Sequence, residues 1–437
     1  MTRPPIQDLR IRGAQPLLSP AALAEELALD DSSADFVARS RHAVEDIILG
    51  RDDRLLLVVG PCSIHDPAAA LEYADRLREA AARHAAELCV VMRAYLEKPR
   101  TVVGWKGLIN DPGLDGSYQI NHGLRLARKL MIDLARLRQP AATEFLDATL
   151  GQYFAELVTW GVIGARTVES QVHRALASGL SMPVGFKNRT DGDVPVAIDA
   201  LLAARQPHWF ASLTKAGVPA MLGTAGNDRC HLVLRGGTRG TNYASDHVRA
   251  AVELLRAADL PPRLMVDCSH GNSGRNPERQ PAVAADVAAQ VAAGQHAICG
   301  VMLESNLLNG AQGYRTRPLA YGRSVTDPCL AWEKTLPVLG QLAAAVRARR
   351  SRTRHLPRSS PDSSAFVQPA LIVTLCSPRP LSRTSSRPCT IPSPRLSSST
   401  PSRRSTPPPS PPLRGLWGRS VRRPGGSSSG PSAAAHR

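Results

Sequence analysis

Four residues able to hold a metal ion each stand beside a short apolar run. Cys62 follows Leu55-Leu56-Leu57-Val58-Val59-Gly60-Pro61, and His270 follows Leu264-Met265-Val266-Asp267-Cys268-Ser269. Glu304 closes Cys299-Gly300-Val301-Met302-Leu303, and Asp327 precedes the last apolar helix. One thiolate, one imidazole and two carboxylates form a mixed soft and hard donor set. It accepts a single divalent ion, Mn²⁺, Fe²⁺, Co²⁺ or Zn²⁺, with geometry and availability deciding among them. Taken singly, a cysteine after a strand usually packs and a strand-end glutamate often caps a helix. Their common position at strand ends is the informative signal.

Arg93, Lys98, Arg100, Arg166, Lys187 and Arg235 form a second set, also at or just past strand ends. Strand interiors exclude charge, so cations converging on one face require anions to neutralise them. Surface ion pairs account for one or two such residues, not six. Arginine offers paired contacts to phosphate or carboxylate and lysine a point charge. Six cations exceed what one monophosphate needs, which predicts two anionic substrates or one with several anionic groups. Lys98-Pro99-Arg100-Thr101 is a turn carrying two cations and a hydroxyl, and Gly104-Trp105-Lys106-Gly107 extends it into a long loop. Loops of that length in compact domains are usually functional. Arg100 and Thr101 suit a phosphate on the substrate that binds last.

These residues need a scaffold that brings strand ends together. Strands are predicted at 55–60, 89–93, 140–144, 162–166, 183–187, 208–213, 231–235, 263–267 and 298–303. Helices are predicted at 67–85, 121–137, 151–160, 169–178, 194–204, 243–257, 281–293 and 329–348. Repeated βα units imply a parallel sheet covered by helices. Nine strands is one too many for an eightfold barrel. Eight of them lead to a reactive polar residue: Cys62, Arg93, Glu144, Arg166, Lys187, Arg235, His270 and Glu304. Trp209-Phe210-Ala211-Ser212-Leu213 does not, and with the run near Ala220-Met221-Leu222 it reads as a hairpin inserted at about 208–225. The prediction is a (β/α)₈ TIM barrel over residues 51–350, whose chemistry belongs at the C-terminal ends of the strands. Residues 1–50 form an N-terminal extension with helices at 19–27 and 40–49. It is expected to cover the bottom of the barrel, or to serve regulation and oligomerisation.

The formal charge of +17 invites a nucleic-acid reading, but its distribution argues against one. Residues 351–437 hold fourteen arginines, no lysine and one acid, Asp362, whereas the first 350 residues hold forty bases and thirty-six acids. The basicity therefore belongs to a Ser/Pro/Arg-rich tail that buries too little apolar surface to fold. Its composition is that of a frameshifted reading of GC-rich DNA; a basic RNA-binding arm is the functional alternative. No apolar run approaches the roughly 20 residues needed to span a membrane. Met1-Thr2-Arg3-Pro4-Pro5 opens no secretory segment, and the eight cysteines lack a disulfide or zinc-finger spacing. A reducing cytoplasm is expected.

Longer motifs sharpen the reading. Gly60-Pro61-Cys62-Ser63-Ile64-His65, Arg93-Ala94-Tyr95-Leu96-Glu97-Lys98-Pro99-Arg100-Thr101, Gly164-Ala165-Arg166-Thr167, Pro183-Val184-Gly185-Phe186-Lys187-Asn188, Leu234-Arg235-Gly236-Gly237 and Asp267-Cys268-Ser269-His270 resemble the microbial type I 3-deoxy-D-arabino-heptulosonate 7-phosphate (DAHP) synthases. The likeness covers roughly residues 6–349. It implies condensation of phosphoenolpyruvate with erythrose 4-phosphate, the first step of the shikimate pathway, on a homodimer or homotetramer. It carries metal ligation onto Cys62, His270, Glu304 and Asp327. Phosphoenolpyruvate falls to Arg93, Lys98, Arg166, Lys187 and Arg235, with backbone help near Glu144 and Ala165. Arg100 and Thr101 take the second phosphate. Lys98, Cys62 and His270 become the catalytic group, with Lys98 as proton donor or electrostatic guide. The resemblance also implies feedback by an aromatic amino acid at Asp8, Phe210 and Ser212; Ser212 leans toward phenylalanine over tyrosine, with tryptophan open. Arg189, Thr241 and Gly271 depart from the family pattern, where small, Pro and Ala residues are usual, and none of them removes a ligand. The alternatives are a sister synthase using arabinose 5-phosphate, and an inactive barrel with an RNA-binding tail.

Overall fold

The structure is a computed structural model and describes residues 6–355. Two helices precede the barrel, α1 (Pro20–Glu26) and α2 (Asp31–Leu49). Ser19 caps α1 by accepting a hydrogen bond from the Ala22 amide, and proline takes the first helical position. α2 starts nine residues before the predicted 40–49. Asp30 caps it through the Ser33 amide, and Gly50 ends it in the left-handed conformation at φ 77°.

The chain then runs β1 (Leu55–Gly60), α3 (Pro67–Ala82), β2 (Leu88–Arg93), α4 (Ile120–Arg136), β3 (Ala141–Glu144) and β4 (Trp160–Ile163). It continues through α5 (Gln171–Ala177), β5 (Val184–Lys187), α6 (Pro195–Ala204) and the hairpin β6 (Trp209–Leu213) and β7 (Pro219–Gly223). The remainder is β8 (Cys230–Leu234), α7 (Ser245–Ala257), β9 (Leu264–Asp267), α8 (Gln280–Ala292), β10 (Ile298–Asn306), β11 (Leu330–Ala331) and α9 (Trp332–His355). Strands β1 to β5 and β8 to β10 pair in parallel in that order, and β10 pairs back onto β1, closing an eight-stranded barrel. β6 and β7 form a separate antiparallel pair, as the absence of a reactive residue at their ends predicts.

Two layers hold the cylinder. Leu56, Val58, Val91, Trp160, Val233, Met265 and Met302 fill its interior, and Val44, Ile47 and Ile48 of α2 join the same buried cluster. α2 thus plugs the barrel with side chains worth roughly 1.5–3 kcal/mol each in burial. The opposite faces of the strands pack against the helices in the larger cluster.

Three expectations need correction. Residues 151–160 are not an α-helix. Asp147 accepts hydrogen bonds from the amides of Thr149 and Leu150 and from the Thr149 hydroxyl, and only two short 3₁₀ turns follow, Leu150–Tyr153 and Ala155–Leu157. The fourth strand is Trp160–Ile163 rather than 162–166, because the chain turns at Gly164, whose carbonyl accepts from the Thr167 and Val168 amides. The last helix runs to His355, past the expected boundary at 350. The rest of the proposed tail lies outside the described residues.

Candidate active site at the barrel mouth

Strand register assembles the donors. Gly60 of β1 lies opposite Glu304 of β10, so the turn Pro61-Cys62 leaves the sheet beside that carboxylate. A side chain at Gly60 would be strained, since its φ is 151° and a Cβ there would crowd the Arg93 carbonyl oxygen at 3.0 Å. Donor atoms of Cys62, Glu304 and Asp327 lie within 4.8 Å of one another. His270 Nε2 stands 3.6 Å from Glu304 Oε1, at the edge of this group and outside its mutual spacing. The mixture of thiol, carboxylate and imidazole fits a single divalent ion. Cys62 and Glu304 are almost fully buried, and Asp327 and His270 open toward the mouth.

Two buried anions set the electrostatics. Burial alone would raise the Glu304 carboxyl, but His270, Arg93 and Lys98 outweigh it and hold it below its ordinary value. Asp267, fully enclosed, behaves alike: burial is overcome by His270 and Lys187. Burial pushes the Cys62 thiol up to about 11, with Glu304 adding to the rise and Lys98 opposing it. Lys98 Nζ donates to Cys62 Sγ at 2.7 Å and to Asp327 Oδ2 at 2.8 Å, so one positive charge already bridges two of the donors. Burial lowers the Lys98 ammonium, but Cys62 and Asp327 raise it further, and the net is upward.

The cations divide into two groups. Lys98, Arg166, Lys187 and Arg235 line one cavity with Glu144, Ala165 and His270. Arg93 lies beneath that cavity with no exposed surface. Its guanidinium pairs with Glu304 at 3.0 Å, reaches Met302 Sδ at 2.9 Å, and stacks on the Tyr95 ring at 3.9 Å. It serves as the counter-ion of Glu304. Arg100 and Thr101 are exposed on the loop after β2, where the Arg100 guanidinium covers Gly104; neither lines the cavity.

Two functional positions were not singled out by sequence. Asp267 Oδ2 lies 2.8 Å from Lys187 Nζ and 2.8 Å from His270 Nδ1, so it joins the cation side to the donor side. A carboxylate behind the imidazole leaves Nε2 free to face Glu304. The signal was present, since Asp267 stands three residues before His270 within one motif. The other position is Arg275, in the same cavity lining. It sits eight residues past the end of β9, too far along the loop for strand-end position to mark it.

A cavity of about 810 Å³ lies away from the mouth, beside the hairpin. Phe210 lines it together with Gln152, Leu180 and Lys215. Ser212 shares a face of β6 with Phe210. It is buried, and its hydroxyl has no hydrogen-bond partner among the described residues. Asp8 is exposed on the N-terminal arm and does not line the cavity.

The profile of the DAHP synthetase I family matches residues 29–339. The chain belongs to the DAHP synthetase I family. It is 55% identical over 344 residues to the Phe-sensitive phospho-2-dehydro-3-deoxyheptonate aldolase of Escherichia coli K12, covering 78% of this chain and 98% of that protein. It is 52% identical over 343 residues to the Trp-sensitive enzyme of the same name from Enterobacter agglomerans, covering 78% and 98%. The structure of phospho-2-dehydro-3-deoxyheptonate aldolase from Francisella tularensis superposes with a TM-score of 0.77 at 51% identity, covering 78% of this chain and 99% of that one. Both Phe-sensitive and Trp-sensitive relatives stand at similar identity, so overall likeness does not choose the effector. Among the described residues no helix is long and apolar enough to cross a membrane.

Proposed function

We propose that the chain joins phosphoenolpyruvate, erythrose 4-phosphate and water into DAHP and inorganic phosphate. The observation that carries this reading is the meeting, at one barrel mouth, of the Cys62, Glu304 and Asp327 donor cluster with Lys98, Arg166, Lys187 and Arg235. A donor cluster alone fits many hydrolases. Of the four cations beside it, Arg166 and Arg235 have no carboxylate ion pair among the described residues, which calls for anionic substrates, and membership of this family supplies their identity.

A divalent ion, held by Cys62, Glu304 and Asp327 with His270 as fourth ligand, would supply Lewis-acid polarisation of an aldehyde oxygen. Mn²⁺, Fe²⁺, Co²⁺ and Zn²⁺ all suit the donors. The protein's own work is to bind and orient. Arg166, Lys187 and Arg235 neutralise phosphoenolpyruvate, which places its C3 against the aldehyde carbon of the second substrate. A C–C bond forms there, and the aldehyde oxygen takes a proton. Lys98 Nζ is the positioned donor or electrostatic guide for that oxygen. Water then adds at C2 and loses both protons, one replacing that given to the aldehyde oxygen and one leaving with phosphate, as the C2–O bond to phosphate breaks and the C2 ketone forms. Arg100 and Thr101 hold the phosphate of the four-carbon sugar from the exposed loop after β2.

An aromatic amino acid inhibits from the hairpin cavity, where Phe210 supplies a ring face; Ser212, two residues on in β6, carries a buried hydroxyl without a partner among the described residues. Ser212 favours phenylalanine. The exposed apolar side chains Ile6, Leu9 and Ile11 of the arm and Trp209 and Met221 of the hairpin support assembly into a homodimer or homotetramer. The cytoplasm is the expected compartment.

The test is consumption of phosphoenolpyruvate with and without erythrose 4-phosphate, after dialysis against chelator and after return of each metal. Consumption should require both the sugar phosphate and a metal, and Cys62→Ser should lower the restored rate at least ~100-fold. Arabinose 5-phosphate turning over faster than erythrose 4-phosphate would move the assignment to the sister reaction. A demetallated Cys62→Ser protein working at full rate would end it.

A further inference from the structure

The loop after β9 carries two residues in the left-handed region, His270 at φ 53° and Arg275 at φ 61°. They are tied together, since the Arg275 amide donates to the His270 carbonyl at 2.7 Å. A left-handed arginine is a strained choice where glycine or asparagine would sit more comfortably. Strain of this kind at a cavity rim points to a side chain held for a purpose. The Arg275 side chain lines the same cavity as Arg166, Lys187 and Arg235.

The cations of that cavity are not equivalent. Lys98 is matched by Asp327, and Lys187 by Asp267. Arg166 and Arg275 have no ion pair or side-chain hydrogen bond among the described residues. Among the described residues the Arg235 side chain makes one bond, from Nη1 to the Gly236 carbonyl, and its buried Nε has no partner. Burial lowers the Arg235 guanidinium; Asp267 opposes this, and Arg275 and Arg166 add to the lowering. Three guanidiniums thus face one space with donors to spare, the arrangement that a phosphate dianion resolves.

We propose that Arg275 is a third arginine of the phosphoenolpyruvate phosphate clamp, closing over the phosphate from the β9 loop opposite Arg166. The assignment rests on the condensation reading above. It places the phosphate between Arg166, Arg235 and Arg275, and leaves Arg100 and Thr101 for the other substrate. Because Arg275 is anchored by the His270 carbonyl, the loop that presents a metal-ligand candidate also presents a substrate contact.

Steady-state kinetics of wild type, Arg275→Gln and Arg275→Lys, each fully metallated and checked for an unchanged melting curve, test this. Arg275→Gln should raise KM for phosphoenolpyruvate about tenfold, one charge-assisted contact at an exposed rim. kcat should stay within about threefold and KM for erythrose 4-phosphate within about twofold. Arg275→Lys should recover much of the loss. Inorganic phosphate, used as a competitive inhibitor against phosphoenolpyruvate, should weaken by the same factor in Arg275→Gln. An unchanged KM for phosphoenolpyruvate, or a rise confined to erythrose 4-phosphate, overturns the proposal. The two failures separate cleanly: a wild type that does not consume phosphoenolpyruvate in the presence of the sugar phosphate refutes the condensation reading, whereas an active wild type matched by Arg275→Gln refutes the clamp alone.

Discussion

Glu304→Gln tests the electrostatics of the mouth most directly, because Glu304 is both a metal-ligand candidate and the only ion-pair partner of Arg93 among the described residues. The Arg93–Glu304 pair spans 3.0 Å, with about 1% and 2% of the side chains exposed. Removing one member of such a pair leaves a charge buried without compensation, at a cost of about 3–5 kcal/mol. Two features place the cost at the low end. Arg93 keeps the Tyr95 ring and the carbonyls of Pro61 and Cys62, and the Ser269 hydroxyl, now 2.7 Å from Glu304 Oε2, can still donate to the amide oxygen. About 3 kcal/mol is therefore expected from the metal-free protein. It is read as a lower urea midpoint at unchanged slope. The same substitution removes one anionic ligand, so metal affinity should fall at least ~10-fold, measured by competition with a chromophoric chelator. A metal-free Glu304→Gln protein within about 0.5 kcal/mol of wild type would refute the claim that Arg93 is a buried counter-ion rather than a solvated substrate contact. Arg93→Met with Glu304→Gln should recover much of the lost stability, since both charges then leave together.

Two further outcomes follow from other parts of the molecule. His231 lies inside the barrel and accepts a hydrogen bond from Trp160 Nε1 at 2.9 Å, and burial lowers its imidazole to about 4. The unfolded chain binds a proton near pH 6.5 and the folded one does not, so stability is lost as pH falls from about 6.5 to about 4. The total is about 3 kcal/mol. Denaturant titrations across that window should show the slope, and a His231→Gln protein lacking none of it would refute the assignment. At the hairpin, Phe210→Ala should abolish inhibition by the aromatic amino acid while leaving the uninhibited kcat within about twofold; inhibition of unchanged potency would place the effector elsewhere.

The barrel was legible because its strands are short apolar runs that each end in a reactive residue, a pattern that also singled out β6 and β7 as an insertion. What escaped had local physical causes. Residues 31–39 of α2 mix polar and apolar side chains and fell outside the predicted helix, yet Asp30 caps them and Ser33 and Val37 are buried. Residues 151–160 have helical composition, but the three hydrogen bonds to Asp147 turn the chain before a helix can start. Strand ends located Arg93 but not its pairing with Glu304. It points down into the barrel because Glu304 and Tyr95 are there to receive it, and sequence does not register which neighbour lies across the cylinder. Arg275 escapes a strand-end pattern because it lies eight residues past β9, and only the fold of the loop returns it to the mouth.

The arrangement of charge explains why one mouth can hold a dication and two phosphorylated substrates. On the donor side, Cys62, Glu304 and Asp327 are balanced by Arg93 from below and by the Lys98 ammonium between them. A divalent ion entering that space adds two charges and releases the proton that burial keeps on Cys62, so uptake should strengthen with rising pH. A bound ion would compete with Lys98 for Cys62 and Asp327, the two donors its ammonium now bridges. Across the cavity lining, Arg166, Arg235 and Arg275 make no ion pair among the described residues, which leaves their charge available to an anionic substrate. Asp267 stands on the border. Its single oxygen Oδ2 meets both Lys187 and His270, one from each side, at 2.8 Å. Replacing it with asparagine would leave Lys187 unmatched and free the imidazole to turn over. Both phosphoenolpyruvate affinity and metal affinity should then fall in one variant, although Asp267 is not expected to touch either ligand. Loss of only one of the two would show that the sides are electrostatically independent.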